Sequence, residues 1–250
     1  MRTYVTPAAW GSQRDTSRFS EWFSQYHGFT TLILSDENIS GNPRLLKDGA
    51  LYEALERNCF NLRAILPRNA VLEVFFTIRD YGEFFASMYC EYLRHKDFCD
   101  FDSYLENSNY ESISWVNVHS ALASVFGKQH VHLYDFSDFA TSGDKLIGAL
   151  LPEGRAYTEL PVDTNANIVR PTFSAAAIEL LTSASGFLYN AQQRKLLKTI
   201  LSYEVRNGLL SKKFSPLAGN KKLKRKYFDD VCRLQEMGAF EWLHSLSSLR

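Results

Sequence analysis

The segment Val71–Ile78, VLEVFFTI, constrains the fold more than any other part of the chain. It is apolar except for Glu73, rich in β-branched and aromatic residues, and too short for a buried helix. A run of this kind suits a strand in a parallel sheet covered on both faces. Arg79 and Asp80 leave the strand, and a helical pattern then runs from about Gly82 to His95. The expected local unit is a strand, a tight turn and a helix in direct succession.

Two other segments read as strands: TLILS (Thr31–Ser35) and HVHLYDF (His130–Phe136). Helical patterns separate them. One starts at Asp15 or Thr16 and runs to about His27, a second covers Ala50 to Asn58, and a third covers about Ser112 to Phe126, ended by Gly127. Strands alternating with helices predict an α/β fold, a mostly parallel sheet flanked by helices. After Val162 the pattern changes. LPVDTNANIVRPTF reads as loop, and only helical periods follow: Ser174–Ser183, Tyr189–Asn207, and Lys222–Ser245 with a break near Gly238. The expected organisation is an α/β core over residues 1–162 and a helical C-terminal region over 163–250, capping the same domain.

A chain of 250 residues with 45% hydrophobic side chains can build one sizeable core. Its net charge is zero, so it is not built as a whole for nucleic acid. The charge is uneven, however: residues 1–125 carry 11 Lys/Arg against 16 Asp/Glu, and residues 126–250 carry 17 against 12. Much of the later excess lies in Lys221, Lys222, Lys224, Arg225 and Lys226, which reads as a solvated helix face or as a site for an anionic ligand. Cys59, Cys90, Cys99 and Cys232 form no CxxC pair and no zinc spacing, which suits a reducing compartment. His130 and His132 fall on one face of a strand, a weak metal signal outweighed by a structural role. Apolar stretches near eight residues are far too short to span a membrane, and Met1 to Trp10 lacks a signal-peptide core, so a cytoplasmic protein is expected.

Ligands of open parallel sheets sit at the carboxyl ends of the strands. Three such ends are Ser35-Asp36-Glu37, Ile78-Arg79-Asp80 and Tyr134-Asp135-Phe136. Arg79 can offer a planar fork to a phosphate, and the following helix N-terminus adds backbone N–H groups. Ser87, eight residues on, can return a hydroxyl toward the same anion, with Phe84, Phe85, Met88 and Tyr89 giving apolar contacts. The alternative is an Arg79 paired with Asp80 or Glu83, with Ser87 as helix filler.

The stretch IRDYGEFFASMYCEYLR resembles the 3′-phosphate motif of PAPS-dependent sulfotransferases, bacterial and carbohydrate-type members in particular. LILSDENIS resembles their Ser-Ser-Glu strand end, and HVHLYDFSDF their later Tyr-Glu-Asp-Leu segment, with Asp135 near the acidic position. The likeness covers roughly residues 28–140, with the three motifs in the family's order. It implies a P-loop-type sheet and transfer of a sulfuryl group from PAPS to a hydroxyl of a carbohydrate or glycolipid, with no metal. It also implies that Arg79 and Ser87 bind the 3′-phosphate and that Glu37 is the general base, with Asp36 as the alternative. Glu37 otherwise reads as a surface carboxylate or a partner for Arg44. Asn165, Asn167 and Arg170 lie in the loop after the core, where family members close over cofactor or acceptor, so Arg170 is a further candidate contact for a phosphate or an acidic sugar; the alternative is a simple capping and linker role.

The chain departs from the family at one place. The Lys-x-Gly-Thr-Thr loop that cradles the 5′-phosphosulfate is missing; neither Gly11-Ser12-Gln13-Arg14 nor Gly219–Lys226 has its spacing. Either the chain is part of a longer protein, or it keeps the 3′-phosphate half and has lost catalysis. The competing expectation is a non-catalytic or truncated module of this fold that binds adenosine bisphosphate or a protein partner. A kinase lacks its Walker loop here. A glycosyltransferase would need an Asp-x-Asp, and Asp100-Phe101-Asp102 reads as a helix cap instead.

Overall fold

The computed structural model describes residues 33, 34, 40, 51–67, 69–106, 110, 112–138, 173–206 and 213–240, and structural statements below concern these. They form an α/β arrangement with a two-stranded parallel sheet, β1 (Val74–Ile78) and β2 (Val131–Asp135). The helices are α1 (Leu55–Ile65), α2 (Tyr81–His95), α3 (Phe101–Glu106), α4 (Trp115–Phe126), α5 (Ala175–Ala184), α6 (Asn190–Arg206) and α7 (Lys221–Glu236). Of the expected strand Thr31–Ser35, only Ile33 and Leu34 are described, and neither is in a strand. The helix before β1 is displaced from its expected span: it starts at Leu55 and runs through LRAI to Ile65, where Pro67 two residues on cannot continue it.

The chain divides into two compact units. One comprises residues 1–78, 110–158 and 229–250, and the other 79–109 and 159–228. In this division α2 groups with the later helices rather than with β1.

In the first unit, β1 and β2 pair from Val74↔Val131 to Ile78↔Asp135, so their carboxyl ends are level. β2 is buried along most of its length, whereas β1 is half-buried with Thr77 exposed, less covered than its composition suggests. Helix α4 shows why local letters set boundaries. The Ser114 side chain accepts from Val116 N at one end, and Gly127 closes the other at φ 89°, a left-handed value that favours glycine. Its buried stripe is Trp115, Val118, His119 and Leu122, at i, i+3, i+4 and i+7. The C-terminal stretch is not purely helical. α7 stops at Glu236, Gly238 turns the chain at φ 66°, and Phe240 then bridges Leu133 in parallel, with Leu133 N donating to Ala239 O at 2.8 Å.

In the second unit the core is Tyr89, Cys90 and Leu93 of α2, Phe173, Ile178 and Leu181 around α5, and Leu197 of α6. An aromatic layer of Phe101, Tyr104 and Phe214 packs on it. Asp100 caps α3 as expected, accepting from Ser103 N at 2.8 Å and Ser103 Oγ at 2.8 Å.

Candidate functional site

The two strand exits share one construction. After β1, Asp80 is the N-cap of α2, and its Oδ1 accepts from Gly82 N at 2.9 Å and Glu83 N at 3.2 Å. After β2, Asp135 is itself the cap: it is buried, and its Oδ1 accepts from Ser137 N at 2.6 Å and from the Ser137 hydroxyl, with residues 136–138 helical. Each carboxylate satisfies amides that a helix start would otherwise leave unpaired. Asp135, read from the sequence as an acidic site position, therefore performs a capping role.

Arg79 occupies the turn between β1 and Asp80, half-buried and already engaged by a neighbour. Ser87 is half-buried on α2, six residues after its first residue and so about 9 Å along the axis. Helical side chains lean toward the N-terminus, which sets Ser87 over Glu83 at i−4. Glu83 in turn pairs with Lys213 at 3.2 Å, an exposed pair of small energetic weight. An anion held by Arg79 and Ser87 would therefore lie close to a carboxylate whose charge Lys213 offsets. The Gly82 and Glu83 amides of the first turn of α2 are occupied by Asp80, so phosphate contacts here would fall to side chains rather than to that amide pair.

Gly82 sits where space for a side chain is tight. A Cβ there would lie 3.1 Å from Leu217 O, 3.1 Å from Asp80 Oδ1 and 3.3 Å from Leu217 Cβ. The turn at residues 216–219 thus closes against the first turn of α2. The remaining aromatic letters of the motif are structural. Tyr81, Phe85 and Tyr89 are fully buried, and Tyr227 meets the Tyr81 ring edge-on at 6.1 Å. Glu37, Asp36, Asn165, Asn167 and Arg170 lie outside the described residues.

A second polar cluster was only half visible in the sequence. His130 Nδ1 lies 2.8 Å from Glu73 Oε1, and His132 Nε2 lies 2.9 Å from Glu73 Oε2. Register brings them together, since Glu73 directly precedes Val74 and His130 directly precedes its partner Val131. The His132 ring also stacks on Phe75 at 5.1 Å. Burial pushes the Glu73 carboxyl up, but hydrogen bonds and charge from His132 and His130 outweigh it and hold the group below its ordinary value. One nitrogen on each oxygen is a geometry for two protons, not for one shared cation. Among the described residues no group of three or more His, Cys, Asp or Glu converges as a metal centre.

The buried thiols are poor nucleophiles. Burial, helped by Glu56, pushes Cys59 up to about 12, and burial pushes Cys90 up to about 11. A small cavity lined by Leu93, Lys96, Phe98, Leu181, Gln193 and Leu197 has a volume of about 10 Å³, room for about one water rather than for a nucleotide. The Oε1 of Gln193 is buried there without a hydrogen-bond partner.

Among the described residues of the first unit, His119 stands out as a buried polar group without hydrogen bonds. It is 1% exposed, in the apolar stripe of α4, and neither ring nitrogen has a hydrogen-bond partner. Burial, then the charge of Lys128, lowers its pKa. A histidine whose folded value lies below its unfolded value binds fewer protons when folded. Its contribution is therefore fully present above the unfolded value near 6.5 and is lost as pH falls through it. Urea unfolding of His119→Leu is expected to lose this acid sensitivity, which reaches at most about 1.4 kcal/mol per pH unit. The variant should be no less stable than the parent at neutral pH, because an unpaired polar group is replaced by an apolar one. Parallel pH profiles for the two proteins would contradict this account.

No protein-family model matches the chain, and no match is found among curated proteins or solved structures.

Proposed function

We propose that the chain is an α/β nucleotide-handling protein whose β1–Arg79–α2 connection recognises a phosphate. Within that class, the reading best supported is a PAPS-dependent sulfotransferase of P-loop type, acting on a carbohydrate or glycolipid hydroxyl. The observation that carries it is the direct succession of strand, Arg79, capped helix and Ser87, followed in chain order by a parallel strand whose carboxyl end is level with the first. That is the layout in which a strand exit serves a ligand.

In this reading Arg79 and Ser87 hold the 3′-phosphate, Arg170 adds a contact, and Glu37 or Asp36 removes the acceptor proton as sulfate moves. Sulfuryl transfer needs that proton taken while charge gathers on the leaving phosphate. The runner-up is a module that binds adenosine 3′,5′-bisphosphate without transferring sulfate. In either reading the phosphate contacts fall to side chains, because Asp80 already takes the Gly82 and Glu83 amides.

Calorimetric titration with adenosine 3′,5′-bisphosphate tests the shared part of both readings. Arg79→Ala is expected to weaken binding at least tenfold, about the loss of one charge-assisted contact. Equal affinity in parent and variant would remove the site. Transfer assays with PAPS then separate the two, and Glu37→Gln should abolish transfer while leaving bisphosphate affinity unchanged.

A further inference from the structure

Within the second unit, the first two turns of α7 carry a face that the core does not use. Leu223 is buried, while Lys221, Lys224, Arg225 and Phe228 are exposed, Phe228 to 65%. Their spacing is i, i+3, i+4 and i+7, so they form one stripe along the helix. Lys222 is also exposed, and no acidic residue lies between Gly219 and Phe228. The helix start is already served, since Asn220 Oδ1 accepts from Leu223 N at 3.1 Å. The feature is therefore a side-chain surface and does not depend on the helix terminus. Like charges three and four residues apart repel, and the positive end of the helix dipole adds to that repulsion. An exposed phenyl ring in the same stripe is poorly hydrated. Both costs are relieved together by one kind of partner, a surface that is anionic outside and apolar just beneath.

We infer that the Lys221–Lys224–Arg225–Phe228 stripe of α7 docks the protein on an anionic lipid surface. Flexible lysine stems let the ammonium groups reach headgroup phosphates and carboxylates while the phenyl ring enters the headgroup–acyl boundary. A polynucleotide fits less well: the stripe offers one aromatic ring rather than a succession for stacking bases. The inference is independent of the transfer reading, because it uses none of Arg79, Ser87 or Glu37.

Co-sedimentation of the full chain with vesicles tests it. Pure phosphatidylcholine vesicles should leave the protein in solution, whereas vesicles with about 30% phosphatidylserine should pellet it. Raising salt to about 0.5 M should weaken that binding at least tenfold. Lys224→Glu/Arg225→Glu should weaken it at least tenfold, and so should the milder Lys224→Gln/Arg225→Gln if the first pair perturbs folding. Phe228→Ser should weaken it at unchanged charge. Lys195→Glu, a single charge reversal at an exposed α6 position, should change it less than twofold. No binding to anionic vesicles, equal binding to neutral ones, or full binding by both double variants would overturn the proposal. So would stripe-dependent binding of a single-stranded oligonucleotide in the absence of vesicle binding.

Discussion

Tyr89→Ala is expected to destabilise the second unit by about 3–5 kcal/mol, read from urea unfolding followed by near-ultraviolet dichroism. The ring is fully buried and meets Phe101 edge-on at 5.2 Å, Tyr104 at 5.3 Å and Phe214 at 5.6 Å. Truncation removes all three contacts and opens a cavity among rigid aromatic neighbours that cannot collapse to fill it. The phenol donates to Cys99 O at 2.7 Å, and burial pushes its pKa up, so it remains a donor at every pH of interest. Tyr89→Phe keeps the ring and loses only that bond, for about 1 kcal/mol. The contrast between the two variants tests the assignment. Near-equal losses would mean that the hydrogen bond, and not the packing, anchors this residue. The same comparison bears on function. Tyr89 belongs to the stretch that resembles a phosphate motif, so Tyr89→Phe should leave bisphosphate affinity unchanged if its part is structural.

Asp230→Ala should cost the first unit about 2–3 kcal/mol. Asp230 is 5% exposed, and its Oδ2 accepts from Trp115 N at 2.9 Å and from Ser114 Oγ at 2.9 Å. Ser114 Oγ in turn accepts from Val116 N at 3.1 Å. The carboxylate of α7 thus completes the cap of α4 and fixes the Ser114 hydroxyl in the orientation that leaves its lone pair for Val116. Removing it strands a buried amide and a hydroxyl beside the fully buried Trp115. Ser114→Ala alone should cost about 1 kcal/mol, and the double variant less than the sum, because both act through one network. Additive losses in the double-mutant cycle would show that the two groups act separately.

The candidate site was partly legible in the sequence. Arg79 and Ser87 were visible as letters at a strand exit and on the helix after it. The capping role of Asp80 has a local signal too, since an Asp immediately before a helical pattern is an N-cap signal. Lys213, which reaches Glu83 from 130 residues away, left no local trace. Glu73 stood out as the lone charge in an apolar strand, and His130 and His132 as a pair on one face. What joined them was the strand register, and a slip of one residue would have sent the histidines to the opposite face.

Short-range chemistry was therefore settled by the chain itself. The apolar runs became β1 and β2, Asp100 and Ser114 started helices, and Gly127 ended one, because each of these hydrogen bonds or φ values involves residues within a few positions. Tertiary structure alone decided the pairings that close long loops. It placed Phe240 beside β2, Asp230 under α4, the turn at 216–219 against Gly82, and Glu73 between two histidines. Such contacts become favourable only after packing has met the entropy of loop closure, and no neighbouring letters encode that balance.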